Sequence, residues 1–252
     1  MTAPSASSSS RRKAFLVVAA IVVVALLAGA AYGLWYVFLR PSGPAPVGDA
    51  TLPPVPSTSI SGTPLPSGGL DGVWNVDTSI GSFSDFSDSF VGYRVQEQLA
   101  NIGGNIAVGR TPDVSGSLTL SGTSVTTVTI TADLTSLKSD DDRRDGQLAR
   151  QGIQTAQFPT ATFVLGSPID LGAIPAQGQA IQVTANGSLT LHGVTKDVAI
   201  PLTATLDDST IVITGSLSIT FADYGIEKPT SFSVLSVADQ GTMELQLFFS
   251  HA

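Results

Sequence analysis

Apolar side chains at every second position constrain this chain more than any other feature. In Thr126–Leu134, Val128, Ile130, Ala132 and Leu134 fall on one face, and Thr127, Thr129, Thr131 and Asp133 fall on the other. Ile181, Val183, Ala185, Leu189 and Leu191 oppose Thr184, Asn186, Ser188, Thr190 and His192. Val198, Ile200, Leu202, Ala204 and Leu206 repeat the pattern, as do Ile211, Ile213, Leu217, Ile219 and Phe221. The last run sets Met243, Leu245, Leu247 and Phe249 against Glu244, Gln246 and Ser250. Successive side chains of a strand point to opposite faces, so this alternation predicts strands with one dry and one wet face, the pattern of antiparallel sheet. Turn signals at Ser121-Gly122, Gly166-Ser167-Pro168, His192-Gly193 and Asp207-Asp208 separate the runs. Many short strands joined this way predict a barrel or a sandwich. Further strands are expected at Gly72–Asp77, Ser89–Gln98 and Val114–Ser121.

One segment departs from period 2. Ser139 through Leu148 reads as a short helix, capped by Ser139, with Asp140, Asp141 and Asp142 in its first turn, where the helix dipole favours negative charge. Gly152 and Pro159 limit its length.

The strands occupy only residues 71–252. Residues 1–13 are a Ser-rich head ending in Arg11, Arg12 and Lys13. Residues 14–39 carry no charge, and as a helix would be about 39 Å long, enough to span a hydrocarbon core of about 30 Å. Tyr32, Trp35 and Tyr36 cluster at the far end, where interfacial aromatics belong. Ala28-Gly29-Ala30 has the small residues of a cleavage site, but the apolar run continues to Leu39, so an uncleaved transmembrane anchor is the better reading. Three cations precede the span and Arg40 follows it, which predicts a cytoplasmic N-terminus and an extracytoplasmic remainder. Residues 40–70 are Pro-rich and read as an extended tether.

Composition excludes several functions. The net charge is −8, against a nucleic-acid partner, which would need a basic face. Cysteine is absent, which removes disulfides, iron–sulfur clusters, thiolate zinc sites and cysteine nucleophiles. The only histidines are His192 and His251, so neither a metal site nor any cofactor is expected. The aspartate run lacks the alternating ligands, central Gly and terminal Glu of a calcium loop. Gly103, Gly104 and Gly109 are not followed by the Lys-Ser or Lys-Thr of a phosphate loop and are expected in a loop or bulged strand. Asn186-Gly187-Ser188 is a formal glycosylation sequon inside an expected strand. His192 lacks an identifiable catalytic partner, and no G-x-S-x-G elbow is present; a turn histidine bonding backbone groups is the simpler reading. The aromatics from Phe83 to Phe249 either fill a core or line an apolar cavity, and periodicity leaves both open.

Several motifs, in order, resemble the YceI family. Val73-Trp74-Asn75-Val76-Asp77-Thr78-Ser79 is similar to its opening strand, and Ser136–Leu148, with Arg144 and Asp145, to its central helix. Phe158-Pro159-Thr160-Ala161-Thr162-Phe163, Gly187–Val198 around Leu189-Thr190-Leu191-His192-Gly193, and Asp223-Tyr224-Gly225-Ile226 complete the match. Ser84–Arg110 is longer than the family pattern, and Phe221 stands about where the family often has an Arg. The resemblance implies a lipocalin-like antiparallel β-barrel in a bacterial envelope, with an apolar tunnel that binds a long isoprenoid or similar lipid, such as a quinone tail, without catalysis. The expected lining is Val128, Ile130, Phe163, Leu189, Leu191, Ile200, Leu202, Ile219, Phe221, Leu247 and Phe249. Trp74, Asp77, Arg144, Asp145, His192, Gly193, Asp223 and Gly225 are expected in structural roles. The chain as a whole then reads as a lipid-binding barrel on a single-pass anchor in the bacterial cytoplasmic membrane, with homodimer formation left open. The rivals are a solid barrel serving as a protein-interaction module and, last, a hydrolase using His192.

Overall fold

The computed structural model describes residues 8–34, 44–47, 69–100, 103–229 and 234–252. The chain divides into two compact units, Met1–Ser42 and Gly43–Ala252.

In the first unit, helix α1 spans Ser8–Leu34, so its backbone begins inside the expected polar head. Its longest stretch of described side chains, Ile21–Tyr32, is exposed throughout and covers about 18 Å at ~1.5 Å per residue. Among the described residues no helix is long and apolar enough to cross a membrane. Trp35 to Leu39, the end of the expected span, lie outside the described residues, as does nearly all of the expected tether.

The second unit is mostly β. Its strands are β1 (Gly72–Val76), β2 (Phe90–Leu99), β3 (Gly103–Thr111), β4 (Val114–Ser121), β5 (Ser124–Asp133), β6 (Lys138–Ser139), β7 (Thr160–Leu165), β8 (Ile169–Asp170), β9 (Ala180–Leu191), β10 (Val194–Asp207), β11 (Thr210–Thr220) and β12 (Val234–His251). Every pairing is antiparallel. The order β1-β4-β5-β7-β9-β10-β11-β12, with β12 returning to β1, closes an eight-stranded barrel. The expected strand at Val114–Ser121 forms within those bounds, and those at Gly72–Asp77 and Ser89–Gln98 shift by a residue.

One edge of β12 serves two partners in succession. Phe249–His251 pairs with β1, and Val234–Gln246 pairs with β2. β1 and β2 are thus two halves of one wall strand, interrupted by residues 77–89. β3 and β4 mirror them, pairing with β2 and β1 respectively. Gly103, Gly104 and Gly109 lie in β3, in a regular ladder rather than a loop. Gly109 is needed there: a Cβ would stand 2.4 Å from the Tyr93 ring.

Local chemistry sets the turns. His192 and Gly193 both have positive φ, 52° and 72°, the requirement of a two-residue type I′ hairpin. The short helix α2 spans Asp142–Gln147, and a π-helical turn, Leu148–Gly152, continues it. Its cap is Asp141, whose carboxylate accepts from the amides of Arg143 and Arg144. The expected cap, Ser139, belongs instead to β6, where its hydroxyl donates to Asp145 Oδ1 at 2.6 Å. An Asp two residues before the amide competes better for it than a hydroxyl committed elsewhere.

The interior follows the alternation. Trp74, Leu118, Leu120, Ala132, Ile200, Leu245, Leu247 and Phe249 form one buried cluster. The outer face departs from it. Glu244 and Gln246, expected to be wet, are 1% and 5% exposed. Residues 77–89 fold back over this face, where Ile80 packs on Val212 and Phe248. Ser89 Oγ accepts from the Phe248 amide at 3.0 Å, and Gln246 Nε2 donates to the Asp88 carbonyl at 2.8 Å. Burial beneath a loop from elsewhere in the chain leaves no period-2 trace in β12 itself.

The cover also buries Asp88, 4% exposed, with Oδ1 unpartnered among the described residues. Burial pushes its carboxyl up to about 6, its own amide opposes the shift, Asp85 adds to it and Arg110 opposes it. Between the ordinary value of 3.8 and about 6, the folded chain holds a proton that the unfolded chain has lost. Stability therefore falls as pH rises through that window and levels off above it. Asp77 acts elsewhere: burial pushes it up, but hydrogen bonds from Ser250 and Ser79 outweigh this and hold it below the usual range. Its contribution is present above 3.8 and is lost only as pH falls through the lowered value. Asp88→Asn is expected to flatten the pH 4–6 slope and raise stability at pH 7 by about 1–2 kcal/mol, measured by urea denaturation at stepped pH. An unchanged slope would assign the titration elsewhere.

Candidate functional site: an apolar slot and a charged end

Inward faces from around the ring enclose a cavity of about 150 Å³. Every lining residue except Thr205 is apolar. On β9 the lining runs from Ile181 to Leu189, about 27 Å of strand. Leu70, Ile174 and Pro175 also line it, and Ile174 is 40% exposed. The volume corresponds to roughly ten water-sized groups. The lining extends along the barrel as well as around it, and the cavity is called the slot below. Beyond the slot, Leu189, Ile219 and Tyr224 form a buried cluster with Leu191, Val194 and Ile226 against it.

The structure sorts the expected lining. Val128, Ile130, Phe163, Leu189, Ile200, Leu202, Leu247 and Phe249 line the cavity. Leu191 and Ile219 lie in the adjoining solid cluster instead. Phe221 leaves the strand pattern altogether: it begins a 3₁₀ turn, Phe221–Tyr224, and its ring lies where a Cβ on Gly241 would meet it at 2.9 Å. Val91, Ile169, Leu171, Ile174 and Pro175, outside the expected set, also line the cavity. Val91 and Ile169 belong to strands with weak alternation, and the rest to a loop whose contribution appears only once the chain folds over the barrel.

The other singled-out residues hold the frame. Trp74 is fully buried and donates from Nε1 to the Leu70 carbonyl at 2.9 Å. Asp77 Oδ2 accepts from Ser250 Oγ at 2.6 Å, tying β1 to the end of β12. His192 Nδ1 donates to the Tyr224 carbonyl at 3.0 Å, its ring lies tilted against Phe158 with centroids 4.4 Å apart, and its buried Nε2 has no hydrogen-bond partner among the described residues. A Cβ on Gly193 would stand 2.6 Å from Phe158. Gly225, at φ 63°, ends the 3₁₀ turn in the left-handed region, and Asp223 pairs with Lys196 at the surface, 3.1 Å.

A charged network joins β2 to α2. Arg144 Nη2 donates to Glu97 Oε1 at 2.7 Å, and its Nη1 donates to Asp140. Asn105 also donates to Glu97 Oε1, at 2.7 Å. Burial alone would lower the Arg144 pKa, but Glu97 and Asp140 outweigh it and raise it. Asp145, next along the helix, accepts from the Ser139 amide and hydroxyl. The Tyr93 ring packs against Gly109 of β3, and burial pushes its phenol pKa up, so it stays protonated. Among the described residues no cluster of three or more His, Cys, Asp or Glu could hold a metal ion. Arg144→Ala leaves the Glu97 carboxylate buried and short of a cation, with an expected loss of about 3–5 kcal/mol. The double variant Arg144→Met, Glu97→Met should recover most of it. Urea denaturation of the three chains checks both; equal losses in single and double variants would remove the pairing as the cause.

The comparisons with known proteins fit this geometry. A polyisoprenoid binding domain from Saccharophagus degradans, implicated in plant cell wall breakdown, superposes with a TM-score of 0.55 at 20% identity, covering 72% of this chain and 99% of that one. Burkholderia cenocepacia BcnA gives 0.49 at 22% identity, covering 64% of this chain and 95% of that one. A Campylobacter jejuni YCEI protein gives 0.47 at 17%, covering 57% and 84%. At such identities the first likeness speaks for the fold alone. No functionally curated protein matches the chain. The model of the YceI-like domain matches residues 74–249, nearly the whole barrel, and the chain belongs to that family.

Proposed function

We propose that this protein binds a polyisoprenoid-type lipid tail in its barrel and holds it at a membrane by means of residues 14–39. The slot carries the reading: an interior cavity whose walls are apolar at every position but one. Each CH₂ moved from water into such a slot gains roughly 0.8 kcal/mol. Among the described lining residues only Thr205 carries a polar side chain, a single hydroxyl, and a wall of this kind favours binding over catalysis. The polyisoprenoid binding domain among the structural neighbours supports the ligand class.

Binding is tested with the full chain in detergent, by native mass spectrometry after exchange against a long-chain isoprenoid alcohol. One lipid per chain is expected. Ala185 is 2% exposed and lines the slot, so Ala185→Phe fills it. Its affinity should fall at least about tenfold, the equivalent of two lost methylenes. Ala161→Phe provides a second block should the first variant misfold. Binding unaffected by both would move the ligand off the slot and favour a filled interaction module.

Anchoring rests on the uncharged run and on Arg11, Arg12 and Lys13 before it. Since the chain has no cysteine, single Ser5→Cys and Ser57→Cys variants report sidedness. In intact bacterial cells a membrane-impermeant thiol reagent should label position 57 and spare position 5. Equal labelling of both, or release of the protein from membranes by salt, would refute the single-pass orientation.

A further inference from the structure

Within the Pro-rich stretch, Pro44–Val47 lies among the described residues and meets the barrel. The Pro44 carbonyl accepts from Arg94 Nη2 at 2.7 Å, and the Ala45 carbonyl accepts from Arg110 Nη2 at 3.1 Å. Both arginines lie on the outward face shared by β2, β3 and β12. There they also hold Glu244: Arg94 Nε donates to Oε1 at 2.8 Å, and Arg110 Nη2 reaches Oε2 at 3.3 Å. Arg110 is 3% exposed, and its guanidinium stands over the rings of Phe90 and Phe86, 4.1 and 4.7 Å from their centres. Gly92 makes the room, since a Cβ there would stand 2.7 Å from the Arg110 side chain.

The site is rich in donors and short of acceptors. Two guanidinium groups carry ten N–H donors between them, and one carboxylate cannot satisfy them. The fitting partner brings carbonyls without amides of its own to satisfy. A Pro-x-Pro stretch does this: Pro44 and Pro46 lack N–H groups, and an extended proline-rich backbone leaves its carbonyls free. Its stiffness also lowers the entropy lost on docking.

We infer that the outer face of β2, β3 and β12 is a docking site for the chain's own Pro44–Val47 segment, and that docking shortens the working tether. Fully extended, the chain from Leu34 to Gly72 could reach about 135 Å, whereas from Leu34 to Pro44 it reaches about 35 Å. Docking itself is independent of the lipid-binding reading; its consequence for reach rests on the anchor proposed above. Docking at Pro44 makes the shorter of these two lengths the covalent limit.

The absence of native cysteines allows the test in the full chain. Spin labels at Ala45→Cys and Gln182→Cys, both exposed positions, report their separation by pulsed electron resonance in detergent. A single narrow distance distribution is expected. Pro44→Gly with Pro46→Gly, which leaves the barrel untouched, should broaden it at least about twofold, and so should Arg94→Gln. A broad distribution in the parent chain would overturn the docking site. A narrow one indifferent to both sets of substitutions would overturn the arginine–carbonyl clamp. The measurement needs no lipid, so its failure is distinct from failure of the binding reading.

Discussion

The pairing of β12 with β1 closes the sheet on itself, and the rest of the structure depends on that closure. An open antiparallel sheet with these strands would leave its apolar face to find another cover. Joining Val76 to Phe249 across the ring turns that face inward on every side. The slot is then a consequence of curvature: the wall residues are packed, but the axis is left thinly filled. Asp77, bonded to Ser250, and Trp74, bonded to Leu70, secure the closing strand at the seam.

Closure leaves an outer surface, and this barrel does not leave all of it to water. The segment between β1 and β2 returns across β11 and β12, burying Ile80, Phe248 and Val212 in a second small core. Arg94, Arg110 and Glu244 sit beside that cover. Burying three charges is costly unless each is paired and hydrogen-bonded. The sharing of Glu244, the two phenylalanine rings and the Pro44 and Ala45 carbonyls meet most of that requirement, while Arg110 Nε is left without a hydrogen-bond partner among the described residues. The barrel thus has distinct faces: an apolar inside, and an outside that buries this charge cluster.

The charged end at α2 follows the same logic. Arg144 ties Glu97 of the wall to Asp140 at the start of the helical segment, and Asp145 ties the helix to β6. The aspartate run that could be mistaken for a cation site serves as a cap and an ion-pair partner, which explains its consecutive spacing. His192, within the Gly187–Val198 segment that resembles the family, is a turn residue. Its positive φ and its bond to the Tyr224 carbonyl hold the β9–β10 hairpin against the 3₁₀ turn.

Alternation and turn chemistry by themselves determined the strands, the antiparallel pairing and most of the inward face, because strand period and the I′ requirement at His192-Gly193 are local. Val128, Ile130, Phe163, Leu189, Ile200, Leu202, Leu247 and Phe249 were legible for that reason. Phe221, Leu191 and Ile219 lie outside the cavity, because alternation tells the inward side of a strand but not how far along the axis the cavity extends. Asp141 displaced Ser139 as the cap because Ser139 found a pairing partner in β3, a contact distant in sequence. Only the tertiary structure decided that Glu244 and Gln246 are buried, that Arg94 and Arg110 face one carboxylate, and that the Pro44 and Ala45 carbonyls meet those arginines. Each of these depends on segments far apart in the chain meeting on a curved surface, and no local period records such meetings.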